Sequence, residues 1–396
     1  MPHYTYLVVG GGMTADAAVR GIRELDEDAS VGIVTAEPHP PYDRPPLSKG
    51  LWKGMEEERV WRETEALGAD VHVGRRIIRV DPEERSVVDE AETTFTYDKL
   101  LLATGGRPRK LRDAVPQVLY FRTLEDYRRL RAMTEEGEAF AVVGGSFIGS
   151  EIAAALALQG KDVTIVFPEQ GVCRRVFPQR LAEAMNDYYR EKGVRVLAAT
   201  QVAAVRRHGS RLLVSTVSSD HSETLRVDGV VAGIGIEPAV ELAAHIGVET
   251  DQGIVVDERL RTTREGIWAA GDVASVPVPA LGKRVRVEHE DQANTTGRHA
   301  GRSMAGSEEP LDHLPFFYSD LFDRGYEAVG ELDPAALSVV EDWREPFEEG
   351  VLYYTAGGRV RGVLLWNVWG KLEEARALIR GREKRRKPDW AGAIRW

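Results

Sequence analysis

The chain has 396 residues, 43% of them hydrophobic and 29% charged, with a formal net charge of −11 at pH 7. That length exceeds one ordinary core and predicts two or three domains, and the acidic balance disfavours nucleic acid as a partner. The single cysteine, Cys173, excludes an internal disulfide and any redox centre built from two thiols.

The strand-like run Tyr4–Val9 comes first, without the basic and apolar segments of a signal peptide. No run approaches the roughly 18 apolar residues of a membrane helix. A cytoplasmic protein with no membrane span is therefore expected. Tyr4–Val9 leads into Gly10-Gly11-Gly12-Met13-Thr14-Ala15 and a helical pattern to about Asp26. A second strand, Ser30–Thr35, ends at Glu37, 27 residues after Gly10. This is a dinucleotide-binding fingerprint in its proper context. Gly10 permits the tight turn, Gly12 lets the backbone approach a pyrophosphate at the helix N-terminus, Ala15 allows close packing, and Glu37 can accept from ribose hydroxyls.

Pro41-Tyr42-Asp43-Arg44-Pro45-Pro46-Leu47-Ser48-Lys49 follows. Its prolines forbid a helix or a central strand, so it reads as a stiff charged loop that holds side chains against a cofactor. A helix is expected from about Glu57 to Leu67. Val71–Val73, Ile77–Asp81, Ser86–Val88, Thr94–Thr96 and Lys99–Ala103 read as strands. The last ends in Thr104-Gly105-Gly106, small residues that allow close approach of a ligand at the sheet's carboxyl edge.

A crossover and a helix ending near Glu136 lead to a repeat of the first unit. Strand Ala139–Val143, then Gly144-Gly145-Ser146-Phe147-Ile148-Gly149, a helix to about Gln159, and strand Asp162–Phe167 end at Glu169. Gly144 lies 134 residues after Gly10, and Glu169 lies 25 after Gly144. Ser146 stands where the second glycine of the pattern would be. Glu169 favours a free ribose 2′-hydroxyl over a 2′-phosphate, and so NADH over NADPH; Arg174 and Arg175 lie close enough to moderate that preference. Strands around Arg195–Val227 complete this region, and Val230–Ile234 enters Gly235-Ile236-Glu237-Pro238. After Ile267–Ala270, Gly271-Asp272 presents a carboxylate suited to a sugar hydroxyl. Val285–Asp291 opens a helix to about Met304, whose positive N-terminus suits an electron-rich ring. From about Leu311 a small antiparallel sheet is expected, then a helix Lys371–Arg380 and the basic stretch Arg380–Lys387, read as a solvated tail or a docking patch for an acidic protein.

Taken together, the two fingerprints, ATGG, GIGIEP, AGDV, PYDRPPLSKGLW, RVEHEDQA and YSDLFDRGYEAVGEL resemble the two-dinucleotide-binding flavoprotein reductases, and within them ferredoxin reductases and apoptosis-inducing factor. The resemblance implies an α/β fold with two Rossmann-like, glutathione reductase-like domains and a small α+β C-terminal domain. Their expected bounds are 1–112 with 229–310 for FAD, 113–228 for NAD(H), and 311–396. It implies FAD held by Gly10, Gly12, Ala15, Glu37, Arg44, Pro45, Lys49, Ile77, Ala103, Thr104, Gly105, Arg122, Gly271, Asp272, Glu288 and His289, with Tyr318 where a tryptophan usually stands beside the flavin. It implies NAD(H) held by Gly144, Phe147, Ile148, Gly149, Glu151, Glu169, Arg175, Gly233 and Glu327. Lys49, Glu151 and Phe147 are the catalytic candidates: Phe147 covers the flavin and yields to nicotinamide, and Glu151 pairs with Lys49. The implied reaction is hydride transfer from NADH to flavin N5, with no metal site. For the second half-reaction three readings stay open: an acidic iron–sulfur carrier, a redox-sensing interaction protein with slow turnover, and direct oxidation by oxygen or quinone. A homodimer is also left open.

Overall fold

The computed structural model describes residues 1–381 and 383–396; Arg382, within the basic stretch, lies outside the described residues. Contacts divide the chain into two compact units, each built from three separated segments. The first comprises Met1–Arg44, Glu57–Arg107 and Glu237–Pro315, and the second Pro45–Glu56, Pro108–Ile236 and Phe316–Trp396. The proline-rich loop is thus shared, Pro41–Arg44 going to one unit and Pro45–Lys49 to the other.

In the first unit, the strands Ala69–His72, Val31–Val34, His3–Val9 and Thr94–Leu102 lie parallel in that order. Ile267–Ala269 adds a fifth, pairing parallel with Leu100–Leu102. The antiparallel strands Ile77–Asp81 and Ser86–Asp89 extend the other half of Thr94–Leu102. The central strands are buried on both faces, and their continuous apolar runs (Leu7, Val8, Leu100, Leu101 and Leu102 are all inaccessible) are what a helix-covered parallel sheet needs. The helices Met13–Arg23 and Glu290–Met304 pack against each other.

The second unit repeats this order. Arg195–Leu197, Asp162–Val166, Ala139–Val143, Gly229–Ala232 and Leu119–Tyr120 form a parallel sheet. Three antiparallel strands, Gln201–His208, Arg211–Val217 and Ser222–Val227, follow in sequence. A five-stranded antiparallel sheet runs Phe316–Leu321, Arg324–Gly330, Arg359–Trp366, Glu349–Ala356, Ser338–Glu345. Helix Leu372–Arg380 packs on it. The α/β class with two Rossmann-like sheets is borne out.

One expected element is absent. Residues 57–67 form two short 3-10 turns, Glu57–Val60 and Thr64–Leu67, instead of a helix. Trp61 bridges antiparallel to Tyr42, and Glu63 takes a left-handed φ of 52°, so the backbone leaves helical geometry between the turns. No helix among the described residues is long and apolar enough to cross a membrane.

Candidate active site

The sequence candidates fall into two sets, one in each unit. In the first unit, strand His3–Val9 ends at Gly10, whose φ of 117° is left-handed territory. A Cβ there would lie 2.1 Å from the Ala103 carbonyl oxygen, so only glycine fits. Gly12 immediately precedes helix Met13–Arg23, and a Cβ on it would meet just Arg44 Nη2, at 3.9 Å. The helix N-terminus therefore opens onto space where free N–H groups and the helix dipole attract an anion. Ala15, inaccessible, seats the helix against the sheet.

Glu37 lies three residues past Val34. Its carboxylate accepts from the Tyr42 hydroxyl (2.6 Å) and pairs with Arg44. Burial disfavours the Arg44 charge, but Tyr42, Glu37 and Asp272 outweigh it and raise its pKa. The Glu37 carbonyl accepts from the Gly74 N–H (2.8 Å), which brings the start of the Ile77–Asp81 strand toward the same edge. Thr104 donates to the Ala239 carbonyl (2.8 Å), and the Gly105 carbonyl accepts from the Ala239 N–H (3.0 Å).

Gly271 donates its N–H to Thr296 Oγ1 (2.9 Å) and opens the short turn that carries Asp272. Arg286 donates to the Asp272 carbonyl (3.2 Å) and pairs with Glu288 (2.7 Å). His289 caps helix Glu290–Met304, its ring accepting from the Asp291 N–H at 3.5 Å. Two buried polar atoms in this stretch, Arg286 Nε and Asn294 Oδ1, have no hydrogen-bond partner among the described residues. Buried polar atoms are costly unless paired. An open helix N-terminus, a carboxylate three residues past the second strand and the unpaired polar atoms of Arg286 and Asn294 fit a dinucleotide such as FAD. Arg286 was not singled out in the sequence; its place two residues before Glu288 was the available signal.

In the second unit the loop at Gly144 has φ 115°, and a Cβ there would lie 2.3 Å from the Gly233 carbonyl oxygen. Ser146 caps helix Phe147–Leu158 without a side-chain hydrogen bond. Ile148 is exposed in its first turn, while Gly149 is buried. Glu169 again lies three residues past the second strand, here ending at Val166, and pairs with Arg175 at 3.0 Å. The Arg122 N–H donates to Asp126 Oδ2 (3.1 Å) at the start of helix Leu124–Glu136.

The proline-rich loop ends in a 3-10 turn, Pro45–Ser48, and a second, Gly50–Lys53. Trp52 anchors it: the buried indole donates to the Leu47 carbonyl (2.8 Å) and meets Tyr127 edge-on at 5.5 Å. Lys49, 15% exposed, reaches Glu151 Oε1 at 2.8 Å. Glu151, 3% exposed, also accepts from Ser48 (2.5 Å) and Ser319 (2.5 Å). Neither serine was identified from sequence. The Lys49 ammonium lies 5.4 Å from the Tyr318 ring centre. Phe147 meets Phe317 edge-on at 5.4 Å. Tyr318 pairs across the sheet with Glu327, whose carboxyl is pushed up by burial against the pull of the Gly370 N–H. Glu327 Oε2 is buried with no hydrogen-bond partner among the described residues.

Cys173 is buried, and burial pushes its thiol up to about 12, with Ser150 opposing the shift. The thiolate needed for redox exchange does not form near neutrality. Its N–H donates to the Gly145 carbonyl (2.7 Å), so the residue braces the second glycine loop.

Known proteins share this architecture over nearly the whole chain. The ferredoxin–NAD(+) reductase component of the anthranilate 1,2-dioxygenase system of Burkholderia cepacia is 33% identical, covering 94% of this chain and 93% of the relative. The mitochondrial apoptosis-inducing factor 1 of Dictyostelium discoideum is 32% identical over 95% of this chain and 78% of its own length. A crystal structure of a ferredoxin reductase from Rhodopseudomonas palustris superposes with a TM-score of 0.89 at 28% identity, covering 98% and 97% of the two chains. The family model described as pyridine nucleotide-disulphide oxidoreductase matches residues 4–297. The chain belongs to that family and is an oxidoreductase of its FAD- and NAD(P)H-dependent kind.

Proposed function

We propose that this protein oxidises NADH through bound FAD and passes the electrons to an acidic iron–sulfur protein of the ferredoxin type, in the cytoplasm. The observation that carries the reading is one nucleotide cradle built twice, with left-handed Gly10 and Gly144 and with Glu37 and Glu169 each three residues past the second strand. Segments 1–112 with 229–310 then serve FAD, 113–228 serve NADH, and 311–396 form the C-terminal domain.

FAD supplies the ring that accepts a hydride and releases electrons singly. Glu37 and Arg44 hold the adenosine end, and Asp272, Arg286, Glu288 and His289 the far end. Lys49 supplies positive charge for the negative charge that builds on reduction. Glu151 keeps that ammonium in place, and Phe147 shields the reacting face until nicotinamide displaces it. Glu169 accepts from the ribose 2′-hydroxyl and repels a 2′-phosphate, which favours NADH. The ferredoxin named in the Burkholderia relative supports the acceptor, and exposed Lys384, Arg386 and Lys387 supply charge for an acidic partner.

Stopped-flow mixing with NADH and NADPH, followed by ferredoxin, tests this. Flavin absorbance should bleach faster with NADH and recover on adding ferredoxin. Lys49→Ala should slow bleaching about 100-fold without releasing FAD. Bleaching that no ferredoxin reverses would favour the second reading, suggested by the apoptosis-inducing factor relative: a redox sensor with slow turnover.

A further inference from the structure

Glu151 sits in the second turn of helix Phe147–Leu158 with almost no exposure. A carboxylate so placed needs donors on both oxygens. Oε1 accepts from Lys49 Nζ (2.8 Å) and Ser319 Oγ (2.5 Å), and Oε2 from Ser48 Oγ (2.5 Å). The two hydroxyls come from different elements, the Pro45–Ser48 turn and the strand Phe316–Leu321. Each oxygen is tied to its own serine, so the carboxylate cannot swivel about its last bond. We propose that Ser319 is a positioning residue for Lys49, its hydroxyl locking the Glu151 carboxylate in the one orientation that holds the lysine ammonium in place.

The surroundings sharpen the assignment. Cys173, Tyr189 and Tyr326 also lie within the influence of Glu151, and burial, with that carboxylate adding to it, keeps all three neutral. Lys49, at 2.8 Å, is the cation paired with Glu151, and its position depends on how the carboxylate is turned. Ser319 is itself inaccessible, and its strand neighbour Phe317 packs on Phe147 at the start of the same helix. The catalytic consequence of this arrangement rests on Lys49 acting beside the flavin; the geometric claim does not.

The test compares wild type, Ser319→Ala, Ser319→Thr and Glu151→Gln, each purified with its flavin. The rate of Lys49 acetylation by an N-hydroxysuccinimide ester is read by peptide mass spectrometry, with exposed Lys53 as internal reference. Losing a hydrogen bond worth about 1 kcal/mol corresponds to a roughly five-fold change. Ser319→Ala should therefore acetylate about five-fold faster, toward the Glu151→Gln rate, and Ser319→Thr should return to wild type. In turnover, Ser319→Ala should lower kcat with KM unchanged, again restored by threonine. Ser319→Cys, of similar volume but a weak donor, replaces the alanine variant if that does not fold. Equal Lys49 acetylation in wild type and Ser319→Ala, with a faster rate in Glu151→Gln, overturns the proposal. Faster acetylation with unchanged flavin reduction leaves the positioning role standing and removes Lys49 from the flavin.

Discussion

Gly10 and Gly144 hold φ angles of 117° and 115°; two residues on, Gly12 and Ser146 hold −88°, −172° and −103°, −174°. The two loops keep one backbone while their side chains diverge. The second glycine of the pattern is therefore not required by conformation, since φ near −100° is open to any residue. Where the loops differ is in what backs them. The third position is Ala15 in the first unit, where a methyl is accommodated, and Gly149 in the second, where a Cβ would lie 1.9 Å from the Gly144 carbonyl oxygen. The acids differ as well. Glu37 pairs with Arg44, which is 20% exposed, whereas Glu169 pairs with Arg175, which is 78% exposed. The first cradle is welded into its unit, and the second is tighter in its turn but looser at its acid.

The largest expected break in this comparison is Gly149→Ala. The overlap with Gly144 should cost about 3 kcal/mol in urea unfolding, while the reciprocal Ala15→Gly should cost about 1 kcal/mol, the usual helix penalty. Equal costs would mean the second loop relaxes freely. Next come the acids. Glu37→Ala leaves Arg44 without its carboxylate and should destabilise by about 2 kcal/mol while weakening FAD retention. Glu169→Ala should change stability by less than ~1 kcal/mol yet weaken NADH about ten-fold in a fluorescence titration, with FAD unaffected.

A pH series sharpens the role of Cys173. The thiol is raised in the folded state from 9.0 to about 12 by burial, so the unfolded chain loses its proton first. The stabilisation is full below about pH 9 and is lost as pH rises toward 12, at about 1.4 kcal/mol per pH unit. Urea unfolding at pH 8, 9.5 and 10.5 should show this decline and Cys173→Ser a shallower one. The smallest effect is Ser146→Gly, which should alter NADH affinity by less than ~1 kcal/mol because the backbone is already in place. A large gain would show that the hydroxymethyl group obstructs the nucleotide.

Much of this was legible because it is local. Both glycine loops, their acids and strand Ile77–Asp81 follow from periodicity and short spacing. The 57–67 stretch misled because its charged, apolar spacing suits a helix, while a tertiary contact, Trp61 on Tyr42, decides its path. The clamp on Glu151 was half legible. Lys49 and Glu151 stand out as charges in patterned segments, but Ser48 and Ser319 are ordinary hydroxyls. Ser319 lies 168 residues from its partner, and no spacing rule reaches so far. Arg286 was missed for a related reason: an arginine among alternating charges carries no mark of being half-buried with its Nε shut off from solvent.

The late strand Ile267–Ala269 has a consequence for biosynthesis. It covers Leu100–Leu102 on one side, yet is made 165 residues after Leu102. At about 5–20 residues per second, the ribosome leaves that apolar edge uncovered for roughly 8–33 s. The nascent chain therefore spends that interval with the apolar Leu100–Leu102 end of this strand half-paired, a template for pairing with other chains. A burst of chaperone engagement between the synthesis of residues 102 and 267 would be the cellular mark of a sheet whose completion is deferred.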